Sequence, residues 1–441
     1  MTAVHQETSA SWRPGRLHLF FFSPFVPVVV GTVVRLLWIW ATAATPSKAL
    51  ISDPVIYWLS GEKASHLDFS QAPGWPWGTG KPTSFLSVGY SNLIGLVSWM
   101  SAHNLSVFAA AMLVNLVASA LLVIGVARVA AAVSYRTRWA VLVAPWAAAV
   151  YPDLVTASGL IMTEVVGVTA LVWLVVGLLR SPQHWWMIGG CLAATIWLRP
   201  SLQLLLLVVP LLVWRWAGRG CAFAVAVTAL IALAPLAYQS TVTVGVPVFS
   251  SSTWINICDG AAQAPGTPSG TFQASARCRI PDDQVQSERE WSTLAQRVAL
   301  ETIRNDPAAW VTAIPARLVH ALGGGWGVEV AQNWSGHLGP SDAAALVTEV
   351  SRWSFWLVFS VGLLGAFSGH GERAVRLAAL LAMLSLVGVA ISFGQPRYGL
   401  PFVVLLCIPG LGLAADLAST RVVSRNVELL DRQAPSVDFP T

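Results

Sequence analysis

The sequence predicts an all-α polytopic membrane protein: a bundle of about ten transmembrane helices with interfacial helices in long outer loops. Three observations predict it. The 441 residues are 55% hydrophobic and only 11% charged, where a soluble domain carries roughly 25% charged residues. Apolar runs of membrane length recur along the chain. Arginines gather in the short connections on one side of those runs, while acids gather in the long connections on the other.

The runs fall at 18–43, 105–133, 138–152, 160–180, 221–240, 352–369, 375–393 and 398–416. The first follows Arg13 and Arg16. It is too long for a signal-peptide core, so it reads as an uncleaved first helix. Between 185 and 214 lies an apolar stretch broken by Arg199-Pro200. Each half reaches only about 20 Å at ~1.5 Å per residue, so the stretch reads as two short helices meeting at a proline turn. That turn should line protein or water rather than lipid. Ser84–Ser101 is apolar but interrupted by Ser87, Tyr90, Ser91 and Asn92, and reads as a helix lying at the interface. A full span there would invert everything after it. Gln284–Asn305 reads as a surface helix, and Ala308–Leu322 as an interfacial one ended by Gly323-Gly324-Gly325.

With the N-terminus inside, the inner segments hold Arg13, Arg16, Arg136, Arg138, Arg180, Arg215, Arg219, Arg373, Arg376, Arg421, Arg425 and Arg432. The outer segments hold 15 of the 21 acids. The expected organisation is a single transmembrane domain over 1–441. Its outer loops are 44–104, 241–309 and 325–351, and its cytoplasmic tail is 417–441. All three lysines, Lys48, Lys63 and Lys81, fall in the first outer loop, against their usual bias. The elaboration is on one face, so the working face is expected to be extracytoplasmic, in a bacterial-type plasma membrane with both termini in the cytoplasm.

Cys191, Cys221 and Cys407 sit in apolar runs and read as buried thiols. Cys258 and Cys278 share one outer loop, where an oxidising compartment permits a disulfide. The sequence leaves that pairing open.

Asp53, in Ile51-Ser52-Asp53-Pro54, closes the first span on the outer side. It suits either a helix start before Pro54 or a carboxylate acting on a membrane-surface substrate. Asp153 and Glu164 flank the next outer turn and suit helix N-termini as well as chemistry. Lys81-Pro82, Arg199-Pro200 and Arg397-Tyr398 lie near the outer surface, at the depth of a lipid phosphate. Arginine and lysine there either snorkel to headgroups or hold a phosphate. Arg35, inside the first span, suits snorkelling or helix pairing. Trp75, Trp77, Trp254 and Trp326 are placed to stack on sugar rings, although most of the 22 tryptophans belong to interfacial belts. His66, His103, His320 and His337 show no metal-ligand spacing. There is no nucleotide-binding motif, and nothing points to nucleic acid. Two sequon triplets, Asn104-Leu105-Ser106 and Asn333-Trp334-Ser335, are of a kind that chance supplies.

These residues, in this order, resemble the GT-C class of membrane glycosyltransferases. The nearest resemblance is to bacterial relatives of the protein O-mannosyltransferases and the lipid A aminoarabinose transferases. Arg35, Asp53 and Tyr57 resemble the first helix and its loop carboxylate. Lys81-Pro82 with Gly89-Tyr90 resembles the late first loop, and Tyr151-Pro152 through Thr163-Glu164 the run ending in an acid. Leu198-Arg199-Pro200, Gly245-Val246-Pro247 through Gly260, Arg297–Pro307 and Arg397-Tyr398-Gly399-Leu400-Pro401 follow in order. Two departures stand out: Asp53-Pro54 replaces a paired Asp-Glu, and no Asp-x-Asp is present.

The resemblance implies an inverting hexosyl- or pentosyltransferase with a GT-C-like bundle. A polyprenyl-phosphate-linked sugar would be the donor, and a hydroxyl on a glycan, lipid or protein the acceptor. Asp53 would take the hydroxyl proton, with Glu164 assisting or holding sugar. Lys81, Arg199, Arg397, Tyr398 and Tyr57 would bind the lipid phosphate or the sugar, the polyprenyl tail would lie in a groove between helices, and membrane lipid would be a further partner. No cofactor is implied; a divalent metal has no motif behind it. Two other classes stay open: a transporter or lipid-carrier flippase without chemistry, and a non-catalytic partner in envelope glycan assembly. A transporter would place facing charges deep in the helices, often with inverted repeats.

Overall fold

A computed structural model describes residues 25–42, 53–69, 83–133, 139–180, 184–262, 277–278, 287–323, 342–368 and 372–418. Lys81 lies outside them, as do Trp75, Trp77, Trp326, His337 and nearly all of the tail from 417. The described residues form helices and turns, with no strand among them. The chain is an all-α integral membrane protein. Among the described residues five helices are long and apolar enough to cross a bilayer: 107–132, 205–244, 345–368, 373–391 and 396–418. A bent pair and three shorter apolar helices accompany them.

Helix α1 (Phe25–Thr42) turns Phe25, Val29, Val33, Leu36 and Trp40 outward at helical spacing, a lipid-facing stripe. Its Arg35 is fully buried. The guanidinium donates to Ala149 O (2.5 Å), Ala148 O (3.1 Å) and Gly31 O (3.0 Å). Arg35 is therefore a helix-pairing residue: it caps the free carbonyls at the end of α5. Helices α2 (Asp53–Ser65) and α3 (Val88–Met100) follow, then the span α4 (Val107–Val133). The segment expected at the interface is helical as anticipated, but α3 is not a loose surface element. Its Tyr90, Ile94 and Gly95 are buried against α2, α4 and α8.

Helices α5 (Trp139–Val150) and α6 (Pro152–Ser158) form an apolar pair bent by 47° at Tyr151. Asp153 accepts from the Tyr151 hydroxyl at 3.0 Å. Helix α7 (Glu164–Leu179) is buried on most faces, as suits the middle of the bundle. Helix α8 (Trp185–Leu198) stops at Arg199, a 3₁₀ turn covers Pro200–Leu202, and α9 (Leu205–Val244) resumes, so the proline break lies where the sequence places it. The connection expected near 215–220 shrinks to one residue. Gly218 adopts φ 85° within α9, a conformation that bends the helix without a loop.

The segment after α9 carries α10 (Ser252–Ala261), α11 (Glu288–Asn305), α12 (Pro307–Thr312) and α13 (Ile314–Ala321). The single helix expected over 308–322 is thus two. Pro315 supplies no N–H to continue the ladder from α12. Cys258 and Cys278 form a disulfide. Around it Phe85, Ile255, Trp291, Ala295 and Ala299 make a separate small core. Glu288 fastens this module inward: both carboxylate oxygens accept from the Ser84 amide (3.1 Å each), and one also accepts from the Ser251 hydroxyl.

Helix α14 spans Asp342–Ser368. The outer loop expected to run to 351 therefore ends near 341. In these extra turns Asp342, Thr348, Glu349 and Ser351 interrupt the alanines and valines, and Glu349 pairs with Arg352 at 2.8 Å, so no unbroken apolar run marked them. Helices α15 (Arg373–Ile391) and α16 (Pro396–Phe402) complete the bundle. A π-turn at Val403–Cys407 continues α16 into its span.

Candidate active site

Four helix ends meet at one place. Asp53 sits in the first turn of α2 and Glu164 in the first turn of α7, where the positive end of each helix dipole favours a carboxylate. Arg199 caps the C-terminus of α8, where a cation is favoured. Arg397 opens α16 just after Pro396, against the dipole, so it depends on an acid for its charge balance. A Cβ at Gly399 would collide with the Ala321 carbonyl, so glycine there lets α16 seat directly on α13 and sets where Arg397 stands.

Arg397 Nη1 donates to Asp53 Oδ2 at 2.8 Å, joining residues 344 positions apart. Its Nε donates to Gln395 Oε1 at 2.7 Å, and its guanidinium lies 5.2 Å from the Tyr398 ring centroid. This pair keeps contact with solvent: the Asp53 side chain is 22% exposed and that of Arg397 15%. Behind it lies a second acid–arginine pair. Arg199 Nη2 stands 3.8 Å from Glu164 Oε1, with side-chain exposures of 5% and 4%. The same Nη2 donates to the Arg397 carbonyl at 3.3 Å, which ties the two pairs together. Among the described residues, Arg199 Nη1 and Glu164 Oε2 are buried with no hydrogen-bond partner.

Tyr57, one turn along α2 from Asp53, is buried among them. Burial raises its phenol above the usual range. The charges of Asp53 and Glu164 raise it further, and Arg397 opposes them. Tyr57 therefore stays an O–H donor at any ordinary pH. Its ring meets Tyr90 edge-on at 5.7 Å. Tyr90 donates to Asn115 Oδ1 (3.0 Å), and Asn115 Nδ2 donates to Ser158 O (3.1 Å) and Leu160 O (2.7 Å). Those carbonyls belong to the bend that delivers Glu164.

Six of the seven binding or catalytic residues expected from sequence thus come together: Asp53, Tyr57, Glu164, Arg199, Arg397 and Tyr398. The seventh, Lys81, falls outside the described residues. Lys63 lies apart, paired with Asp68 at 3.3 Å. Trp254 is half-buried in the disulfide module. Among the described residues no three His, Cys, Asp or Glu side chains gather in a metal-binding group. Sequence reading missed Gln395 and Asn115. Gln395 was detectable two positions before Arg397, and Asn115 as the lone amide in the apolar run of α4.

No family model and no curated protein matches the sequence. Solved structures do. An archaeal oligosaccharyltransferase from Archaeoglobus fulgidus in its apo form aligns with a TM-score of 0.53 and 14% identity, over 98% of this chain and 54% of that one. The oligosaccharyltransferase AglB from the same organism, in complex with an inhibitory peptide and a dolichol-phosphate, gives 0.51 and 14%, over 98% and 53%. ArnT from Cupriavidus metallidurans bound to undecaprenyl phosphate reaches only 0.40 and 15%, over 94% and 81%, and carries no weight. The chain spans about half the length of the archaeal enzymes it matches. The likeness shows the fold: a GT-C-like helical membrane bundle.

Proposed function

We propose that this chain is a glycosyltransferase that moves a sugar from a polyprenyl-phosphate-linked donor to an acceptor hydroxyl, with inversion, on the extracytoplasmic face. The observation that carries it is the Asp53–Arg397 pair: a carboxylate and a guanidinium in contact, partly open to solvent, at the end of the first span. The fold shared with an oligosaccharyltransferase whose structure holds a dolichol-phosphate supports the class of donor.

In this reading the acceptor hydroxyl gives its proton to Asp53 as its oxygen bonds to the anomeric carbon. The bond from that carbon to the phosphate oxygen breaks, and its electron pair leaves with the lipid phosphate. The phosphate gains a negative charge, which Arg397 and Lys81 stabilise. Gln395 and Asp53 fix the plane of the Arg397 guanidinium before the charge develops. Tyr57 supplies a permanent hydrogen-bond donor beside both acids. No nucleotide is required.

The test is turnover of purified Asp53→Asn with a polyprenyl-phosphate sugar. We expect transfer to fall by ~10²-fold or more with folding intact, the loss associated with removing a general base. Wild-type turnover in this variant would sink the assignment.

A further inference from the structure

Resting on the glycosyltransferase reading, we infer that the Glu164–Arg199 pair is a subsite for neutral sugar hydroxyls, and that Arg199 is not a ligand of the lipid phosphate. The sequence groups Arg199 with Lys81 and Arg397 as phosphate cations. The geometry separates it from them.

Arg199 already faces a carboxylate in a place closed to solvent. An anion brought to its guanidinium would also be brought against Glu164, and the two negative charges would repel where no water screens them. Unlike Asp53–Arg397, this pair has almost no solvent to screen an added anion, so it suits a neutral ligand. Its unmet bonding names the chemistry. Arg199 has one terminal nitrogen, Nη1, with no acceptor, and Glu164 has one oxygen, Oε2, with no donor. Buried charged atoms left this way are costly, and native proteins rarely keep them without a use. One unmet donor beside one unmet acceptor is the complement of two hydroxyls on one ring. One hydroxyl donates to the carboxylate, and its neighbour accepts from the guanidinium.

At 3.8 Å the two side chains are not hydrogen-bonded to each other, so a ligand that bridges them replaces no hydrogen bond between them. The position fits a glycosyl phosphate. Arg199 is bonded to the backbone of Arg397, and Tyr57 senses Asp53 and Glu164 together. A donor with its phosphate on Arg397 thus has its sugar directed inward, toward the neutral pair.

The experiment measures binding of two probes to the purified full chain in detergent. One is undecaprenyl phosphate; the other is the same lipid phosphate carrying a sugar, tested as a panel of hexoses and pentoses. Wild type should bind at least one sugar-bearing probe ~10-fold or more tighter than the bare lipid, the effect expected of hydrogen bonds to charged groups. The double variant Glu164→Gln/Arg199→Gln removes both charges together, so neither is stranded. It should erase that gain while keeping bare-lipid affinity within about twofold. Arg397→Gln should weaken both probes by about tenfold or more. Should the double variant misfold, Arg199→Lys keeps the charge but loses the guanidinium fork, and the same loss of sugar gain is expected.

Loss of bare-lipid binding in the double variant or in Arg199→Lys, as large as in Arg397→Gln, would make Arg199 a phosphate ligand and overturn the inference. So would a panel in which no sugar improves on the bare lipid; the donor reading would then still stand on Arg397. If wild type binds no lipid phosphate at all, that reading fails and the inference fails with it.

Discussion

Two acid–arginine pairs lie within one side chain of each other in this protein, and they are built to opposite specifications. Asp53 and Arg397 touch at 2.8 Å and reach solvent. The guanidinium of Arg397 is further held by Gln395 and stacked near Tyr398. Glu164 and Arg199 stand 3.8 Å apart, are almost wholly buried, and leave one polar atom each unmet. The outer pair can exchange protons and meet an anion without first being uncovered. The deep pair can do neither cheaply, but it can receive a neutral polar group. Residue type alone would give both pairs the same work; distance and burial divide it.

The sharpest way to break this comparison is to strand one charge in each pair and measure stability. Removing one partner of a buried pair typically costs about 3–5 kcal/mol, and contact with solvent reduces that cost. Glu164→Ala is therefore expected to lower thermal stability in detergent by a large fraction of the total, and Asp53→Asn by clearly less, because its pair keeps contact with solvent. Equal losses would mean that burial does not separate the two.

A smaller effect sharpens the deep pair alone. A Cβ added at Gly167 would lie 2.8 Å from Arg199 Cγ and 3.0 Å from its Cδ. Gly167→Ala should push Arg199 aside without touching Asp53 or Arg397. We expect a several-fold rise in KM for the sugar donor, equivalent to about 1 kcal/mol, with bare lipid-phosphate binding retained. A variant with wild-type KM would show that the place of Arg199 does not matter to the sugar.

The smallest effect comes from Glu288, a buried acid held by hydroxyl and amide donors rather than by a guanidinium. Burial raises its carboxyl above the usual value, and hydrogen bonds from Ser251, Ser84 and Thr83 pull it partly back. A folded value above the unfolded one means that its stabilisation is full below the unfolded pKa and is lost as pH rises through the folded one. Wild type and Glu288→Gln should thus differ least near about pH 4, with the variant gaining relative stability toward about pH 7, by roughly 1 kcal/mol or less. Melting curves across that range check the sign, and a gap that narrows with pH would contradict it.

Much of the fold was legible because lipid imposes a strong signal. Apolar runs marked the spans, and Arg199-Pro200 marked the broken helix, since proline cannot donate to a continuing ladder. Elements outside the lipid were read less well. The first turns of α14 mix apolar residues with Asp342, Thr348, Glu349 and Ser351 and so lack an unbroken apolar run, and the break at Pro315 was hidden inside a mildly amphipathic stretch. Asp53, Arg199 and Arg397 were visible as charges at span ends. Gln395 and Asn115 were not singled out, because a neutral amide becomes informative only when its partners are known.

By itself the sequence determined that the chain is a helical membrane bundle, where its spans lie, and that a few acids and arginines stand at their ends. Charge is too costly inside lipid to be placed there without leaving a mark. Only the tertiary structure decided which acid meets which arginine. Asp53 joins Arg397 across 344 positions, and Glu164 is left with Arg199 in a closed interior. That choice belongs to how α2, α7, α8 and α16 pack, because pairing and desolvation are properties of the neighbours a side chain acquires, not of the side chain.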